Sequence, residues 1–128
     1  MSEFPTAGME VTTLLVVADA GRSRDWYRDV LGAELIREYG GSSIVMKFLG
    51  HWLLLVTGGG PTRDKPTVEF TPPIDADKVS AQLTMRVPDC RGAYDVLKRR
   101  GAVFLAEPVA WEHGEIRAFF RDPDGHLI

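Results

Sequence analysis

The side chains that could do chemistry are few. Gln82, Thr84 and Arg86 alternate with Leu83, Met85 and Val87, the period of two of a strand whose two faces differ. One face must pack on a helix. The other, carrying an amide, a hydroxyl and a guanidinium, meets either water or a cleft. His51 and His113 each adjoin glycine at a hairpin tip, and His126 follows Asp122-Pro123-Asp124-Gly125. No two histidines stand at i,i+4 on a helix and no His-Glu-x-x-His is present, so they read as solvated imidazoles rather than metal ligands. Cys90 lies next to Asp89 at a helix start, where a thiol's pKa can fall, although an inert thiol is the plainer reading. Ser42 and Ser43 lie in a loop without a paired base. Gly58-Gly59-Gly60 is followed by Pro61 rather than Lys-Ser/Thr, which makes it a turn and not a phosphate loop. Trp52, Trp111 and Phe119 could stack against a flat ligand, or serve as core. Glu115 and Arg117 share a strand face with Phe119 and either orient a ligand or form an exposed pair of small energetic value.

The composition narrows the partners. The chain has 128 residues, with 15 Lys+Arg against 18 Asp+Glu, a net charge of −3 and no basic block. Phosphate backbones demand clustered positive charge, so no nucleic-acid partner is expected. The longest apolar runs, such as residues 52–56 and 13–18, fall far short of the roughly 20 residues of a membrane span. Residues 1–10 lack the basic start and apolar core of a signal peptide. A single cysteine excludes an internal disulfide and suits a cytoplasmic protein. The length fits one domain, residues 1–128.

An internal repeat positions these residues. Val17-Ala18-Asp19 is matched by Val87-Pro88-Asp89, and Gly32-Ala33-Glu34-Leu35 by Gly101-Ala102-Val103-Phe104. The unit reads strand, Val-x-Asp, helix, Gly-Ala, strand. In the first unit residues 11–17 form a strand and Asp19 caps a helix. Trp26 with Val30 and Tyr27 with Leu31 share its buried face at i,i+4, and Gly32 ends it. Strands over residues 43–49 and 52–57 flank a tight hairpin at Gly50-His51. Proline-rich residues 61–79 form a linker, with room for a short strand at 67–71. In the second unit residues 82–87 form a strand and Asp89 caps a helix burying Ala93, Tyr94 and Leu97. Residues 103–105 and 116–121 form further strands, and the Asp-Pro-Asp-Gly turn leads into a last one from His126. This is an α+β duplication: module 1 over about residues 9–60, a linker over about 61–79 and module 2 over about 80–128.

These motifs resemble the vicinal oxygen chelate superfamily, which includes glyoxalases, bleomycin-resistance proteins and extradiol dioxygenases. The resemblance rests on Val17-Ala18-Asp19, Trp26-Tyr27 and Leu31-Gly32 in the first half. In the second half it rests on Phe119-Phe120-Arg121-Asp122-Pro123-Asp124-Gly125-His126. It implies two tandem βαβββ modules whose curled sheets surround a cleft, a homodimer, and a small molecule bound on the concave side. Gln82, Thr84 and Arg86 would line that cleft, opposite Thr12, Leu14 and Val16. Metal enzymes of the superfamily carry one ligand on the first and one on the last strand of each module. Carried over, those positions fall on Thr12, on Leu55 to within one residue, on Gln82, and just after Ile128. Of the three positions that can be read, only Gln82 offers an acceptable donor oxygen, and a weak one, since hydroxyl and aliphatic side chains serve divalent metals poorly or not at all. No metal cofactor is therefore expected.

The function so implied is the binding of a small organic molecule without a catalytic metal. Trp52, Trp111 and Phe119 would take its apolar body, while Thr12, Gln82, Thr84 and Arg86 orient it and Leu55 adds to the wall. The alternative is a lyase or dioxygenase using Zn, Ni, Mn or Fe as a Lewis acid.

Overall fold

Two aspartates start the two helices. Asp19 accepts a hydrogen bond from the Arg22 amide at 3.0 Å and opens α1, Ala20–Trp26. Asp89 accepts from the Gly92 amide at 2.9 Å and opens α2, Cys90–Arg99. Each carboxylate satisfies an amide that the first helical turn leaves unpaired. After Trp26 the chain widens into a π turn, Tyr27–Leu31, which Gly32 closes with φ of 79°. A side chain is disfavoured in that left-handed conformation, so glycine stands there for a physical reason. The computed structural model describes Phe4 and residues 6–128. The signal-peptide reading concerns residues 1–10, of which 1–3 and 5 lie outside the described residues.

The first half is a four-stranded sheet: β1, Thr12–Val17; β2, Glu34–Tyr39; β3, Ser43–Phe48; and β4, His51–Thr57. Their order is β1-β4-β3-β2, with β1 parallel to β4 and the other pairs antiparallel. Val17, Ile44, Met46, Leu53 and Leu55 lie in one buried cluster with Tyr27, Val30 and Leu31. Burying side chains of this size contributes about 1.5–3 kcal/mol each. On the opposite face Trp52, Leu54 and Val56 are partly covered and Val16 is buried, while Thr12 and Leu14 are exposed.

The β3–β4 hairpin turns on Leu49-Gly50, with φ of 51° and 75°, and not on Gly50-His51 as the sequence suggested. His51 already pairs with Phe48 as the first residue of β4. Two positive φ values match the right-handed twist of the strands, which outweighs the cost of placing leucine there. In the linker the short strand expected over 67–71 reduces to one bridge, Gly59 with Phe70.

The second half is less regular. It holds β5, Val103–Phe104; β6, Val109–Ala110; β7, Ile116–Arg117; and β8, Phe120–Arg121. The continuous strand expected over 116–121 is divided, because β7 pairs with β6 while β8 pairs with β5. The expected strand over 82–87 makes no ladder. Its side chains still alternate, with Leu83, Met85 and Val87 partly buried and Gln82, Thr84 and Arg86 exposed. In the first half the matching strand, β1, pairs along all of β4. The corresponding run here, His126 to Ile128, bonds back to Phe120 and Asp122 instead. Likewise no residue of α2 is fully buried: Ala93, Tyr94 and Leu97 are only partly covered.

The Asp-Pro-Asp-Gly-His turn joins the halves. Asp124 accepts from the Ala18 amide at 2.9 Å, the Arg22 guanidinium at 3.1 Å and the Ser23 hydroxyl at 3.2 Å. His126 Nε2 donates to the Val16 carbonyl at 2.7 Å. The result is an α+β fold with unclosed sheets, and no helix among the described residues is long and apolar enough to cross a membrane.

Candidate functional site

Strand parity decides what the open face of the first sheet presents. Leu53 and Leu55 are fully buried on the helix side, so Trp52, Leu54 and Val56 point the other way. Register adds Thr12 and Leu14 beside Trp52 and Leu54, and Lys47 and Val45 opposite them on β3. Leu55, expected in the wall of the cleft, is core; Leu54 takes that place. The Lys47 ammonium sits 4.4 Å from the centroid of the Trp52 ring. Sequence reasoning missed Lys47 because the hairpin was placed one residue late. With Leu49-Gly50 as the turn, a two-residue period sets Lys47 directly across from Trp52.

A second concavity, about 510 Å³ in volume, lies between the 82–87 segment, α2 and the strands after Phe104. Gln82, Thr84, Arg86 and Phe119 all line it. Its apolar wall includes Tyr94 and Phe104, whose rings meet edge-on at 4.6 Å. Glu115 and Arg117 also border it, and they form an ion pair at 3.1 Å. Trp111 does not line it. Its ring lies under the Arg117 guanidinium, 4.6 Å away, and is half exposed. The eight expected residues thus divide: four share this concavity, Thr12 and Trp52 share the first sheet's open face, Leu55 is core and Trp111 stands apart.

Two of the three histidines have local partners, and His113 is exposed. His51 Nε2 and the Thr13 hydroxyl are 2.7 Å apart on the helix side of the sheet, and His126 is bonded to Val16. No group of three His, Cys, Asp or Glu side chains converges among the described residues. Of the four positions that the resemblance assigns to metal ligands, three hold Thr12, the Leu54–Leu55 step and Gln82, and the fourth falls just after Ile128. Among the three, one neutral amide oxygen beside a hydroxyl and aliphatic groups holds a divalent ion only weakly.

Comparison with known proteins agrees with this architecture. The family model described as Glyoxalase/Bleomycin resistance protein/Dioxygenase superfamily matches residues 11–128. A probable lactoylglutathione lyase of Synechocystis sp. is 28% identical over 122 residues, spanning 91% of this chain and 88% of that protein. A lactoylglutathione lyase of Neisseria meningitidis is 28% identical over 124 residues, spanning 91% and 84%. A glyoxalase/bleomycin resistance protein/dioxygenase structure from Nocardioides superposes with a TM-score of 0.74 at 22% identity, covering 99% of this chain and 82% of that one. The lactoylglutathione lyase structure from Agrobacterium tumefaciens gives 0.65 at 21% identity, covering 94% and 90%. Such low structural identities speak to the fold alone. With the duplicated strand–helix plan, the open sheets and a family match over nearly its whole length, this chain belongs to the glyoxalase/bleomycin resistance protein/dioxygenase superfamily.

Proposed function

We propose that the protein binds a small organic molecule in a cleft formed by its two open faces, without a catalytic metal. The observation that carries this reading is the chemistry of those faces. Trp52, Leu54, Phe104 and Phe119 offer apolar area, and Thr12, Gln82, Thr84 and Arg86 offer a few directional polar groups. That mixture suits an organic ligand, whose surface is mostly apolar and whose orientation needs few hydrogen bonds. In this reading modules over residues 9–60 and 80–128, linked by 61–79, each supply one wall. A smaller concavity of about 340 Å³ brings Leu14 of the first sheet and Gln82 together within one chain, and a homodimer whose copies supply further walls belongs to the same reading.

Elemental analysis of protein purified without added ions tests the metal-free part, with substoichiometric metal expected. The relatives named lactoylglutathione lyase favour a second reading, a divalent-metal enzyme using Zn, Ni, Mn or Fe. One such ion per chain, lost in a Gln82→Ala variant, would establish that alternative. Stoichiometric metal that survives Gln82→Ala would show that the ligand positions are assigned wrongly.

A further inference from the structure

The distribution of ion pairs separates the two sides of the first sheet. On the helix side every arginine of α1 and its π turn has a carboxylate partner. Arg22 meets Asp124 at 3.1 Å, Arg24 meets Glu38 at 2.6 Å, and Arg28 meets Asp29 at 2.8 Å. On the open side no cation does, among the described residues. Lys47 rests on Trp52, and Arg37 lies 5.7 Å from the Tyr39 ring centroid. Glu34 stands opposite Lys47 in the β2–β3 register, yet the two form no ion pair.

A ring face attracts an ammonium but accepts none of its N–H bonds in the manner of an oxygen. Lys47 is partly buried beside Trp52 and Leu54, and low-dielectric surroundings strengthen whatever charge-assisted bond it forms. The chain as a whole is negative, at −3, whereas this face carries Lys47 and Arg37 against Glu34.

We infer that the ligand is an anion with a flat apolar body. Its acidic group, of carboxylate or sulfonate type, lies at the Lys47 ammonium, and its body lies on Trp52 and Leu54. This inference rests on the small-molecule reading above and adds the ligand's charge to it. Arg86 lines the other concavity and has neither an ion pair nor a hydrogen bond among the described residues.

The test uses two dyes of nearly equal shape, anilinonaphthalene sulfonate and neutral N-phenylnaphthylamine, added to the full chain. Binding is followed by quenching of tryptophan emission, with Trp52→Phe identifying the share due to Trp52. The sulfonate should bind about tenfold more tightly than the neutral dye. Lys47→Met should remove that advantage without altering the neutral dye, and Lys47→Arg should restore most of it. Far-UV circular dichroism checks folding, and Lys47→Gln gives the readout should Lys47→Met unfold. Equal binding of both dyes, or sulfonate binding unchanged in Lys47→Met, overturns the anion preference alone. Failure of both dyes to quench Trp52 in folded protein overturns the small-molecule reading as well. A dimer that changes with Lys47 while dye binding does not would make this face a self-interface and also overturn the inference.

Discussion

The Tyr27 hydroxyl donates to Asp122 Oδ2 at 2.7 Å, a buried bond between residues 95 positions apart. The other carboxylate oxygen accepts from the amides of Asp124 and His126, each at 2.9 Å. Burial pushes the Asp122 carboxyl above the ordinary carboxylate range, while these bonds and His126 pull the other way. Burial, and then the neighbouring Asp122, push the Tyr27 hydroxyl well above its usual value. The phenol therefore keeps its proton and acts as the donor.

Tyr27→Phe leaves the ring in place and strands a buried carboxylate oxygen. Losing a hydrogen bond to a charged group costs about 1.5–3 kcal/mol. Urea unfolding should show a lower midpoint with an unchanged slope. A loss below about 0.5 kcal/mol would mean that water already satisfies Asp122.

The raised carboxyl sets the sign of a pH effect. An acid whose folded pKa exceeds its unfolded value of 3.8 contributes stability that is fully present below that unfolded value. The contribution is lost as pH rises through the folded one. The Asp122→Asn variant lacks this titration. Its deficit relative to the parent protein should be largest near about pH 4 and shrink as pH rises above that. Comparing the two proteins cancels the opposite trend of Asp25 and Asp29, which their neighbouring arginines lower. A deficit that grows with pH would contradict the assignment.

Leu49 is 80% exposed and holds φ of 51° in the hairpin turn. A left-handed conformation costs an ordinary L residue about 1–2 kcal/mol, and asparagine tolerates it better. Leu49→Asn should therefore raise stability by about 0.5–1 kcal/mol in thermal or urea unfolding. A destabilised variant would place the turn elsewhere.

Leu54 and Leu55 make a paired test of strand parity. Leu55→Ala should cost about 2–5 kcal/mol, since it opens a cavity beside Ile44 and Met46. Leu54→Ala should cost far less stability and weaken binding of the sulfonate dye instead. Equal stability losses would refute the assignment of the two faces.

Much of this fold was legible. The repeat, the two aspartate caps, the α1 face and the strands of the first half follow from spacing and local propensity alone. Errors of one residue mattered more at the site. Misplacing the hairpin turn hid Lys47, and counting by offset reached Leu55 only to within one residue, whereas parity turns its neighbours Leu54 and Val56 to the outer face. The 82–87 alternation correctly separated a covered from an exposed side, but periodicity cannot say whether a strand finds a partner. Tyr27 and Asp122 could not be linked by any local pattern, because their contact depends on how the two halves meet.

The parallel pairing of β1 with β4 also sets an order of assembly. The β2–β3–β4 meander closes through short turns, so its contacts form early and locally. β1 must wait, since Thr12 meets Trp52 only after that whole meander has been synthesised. Asp124 comes later still, and until it arrives the Ala18 amide and the Ser23 hydroxyl lack their acceptor. During synthesis the first half therefore completes its start only after Asp124 of the second half has been made.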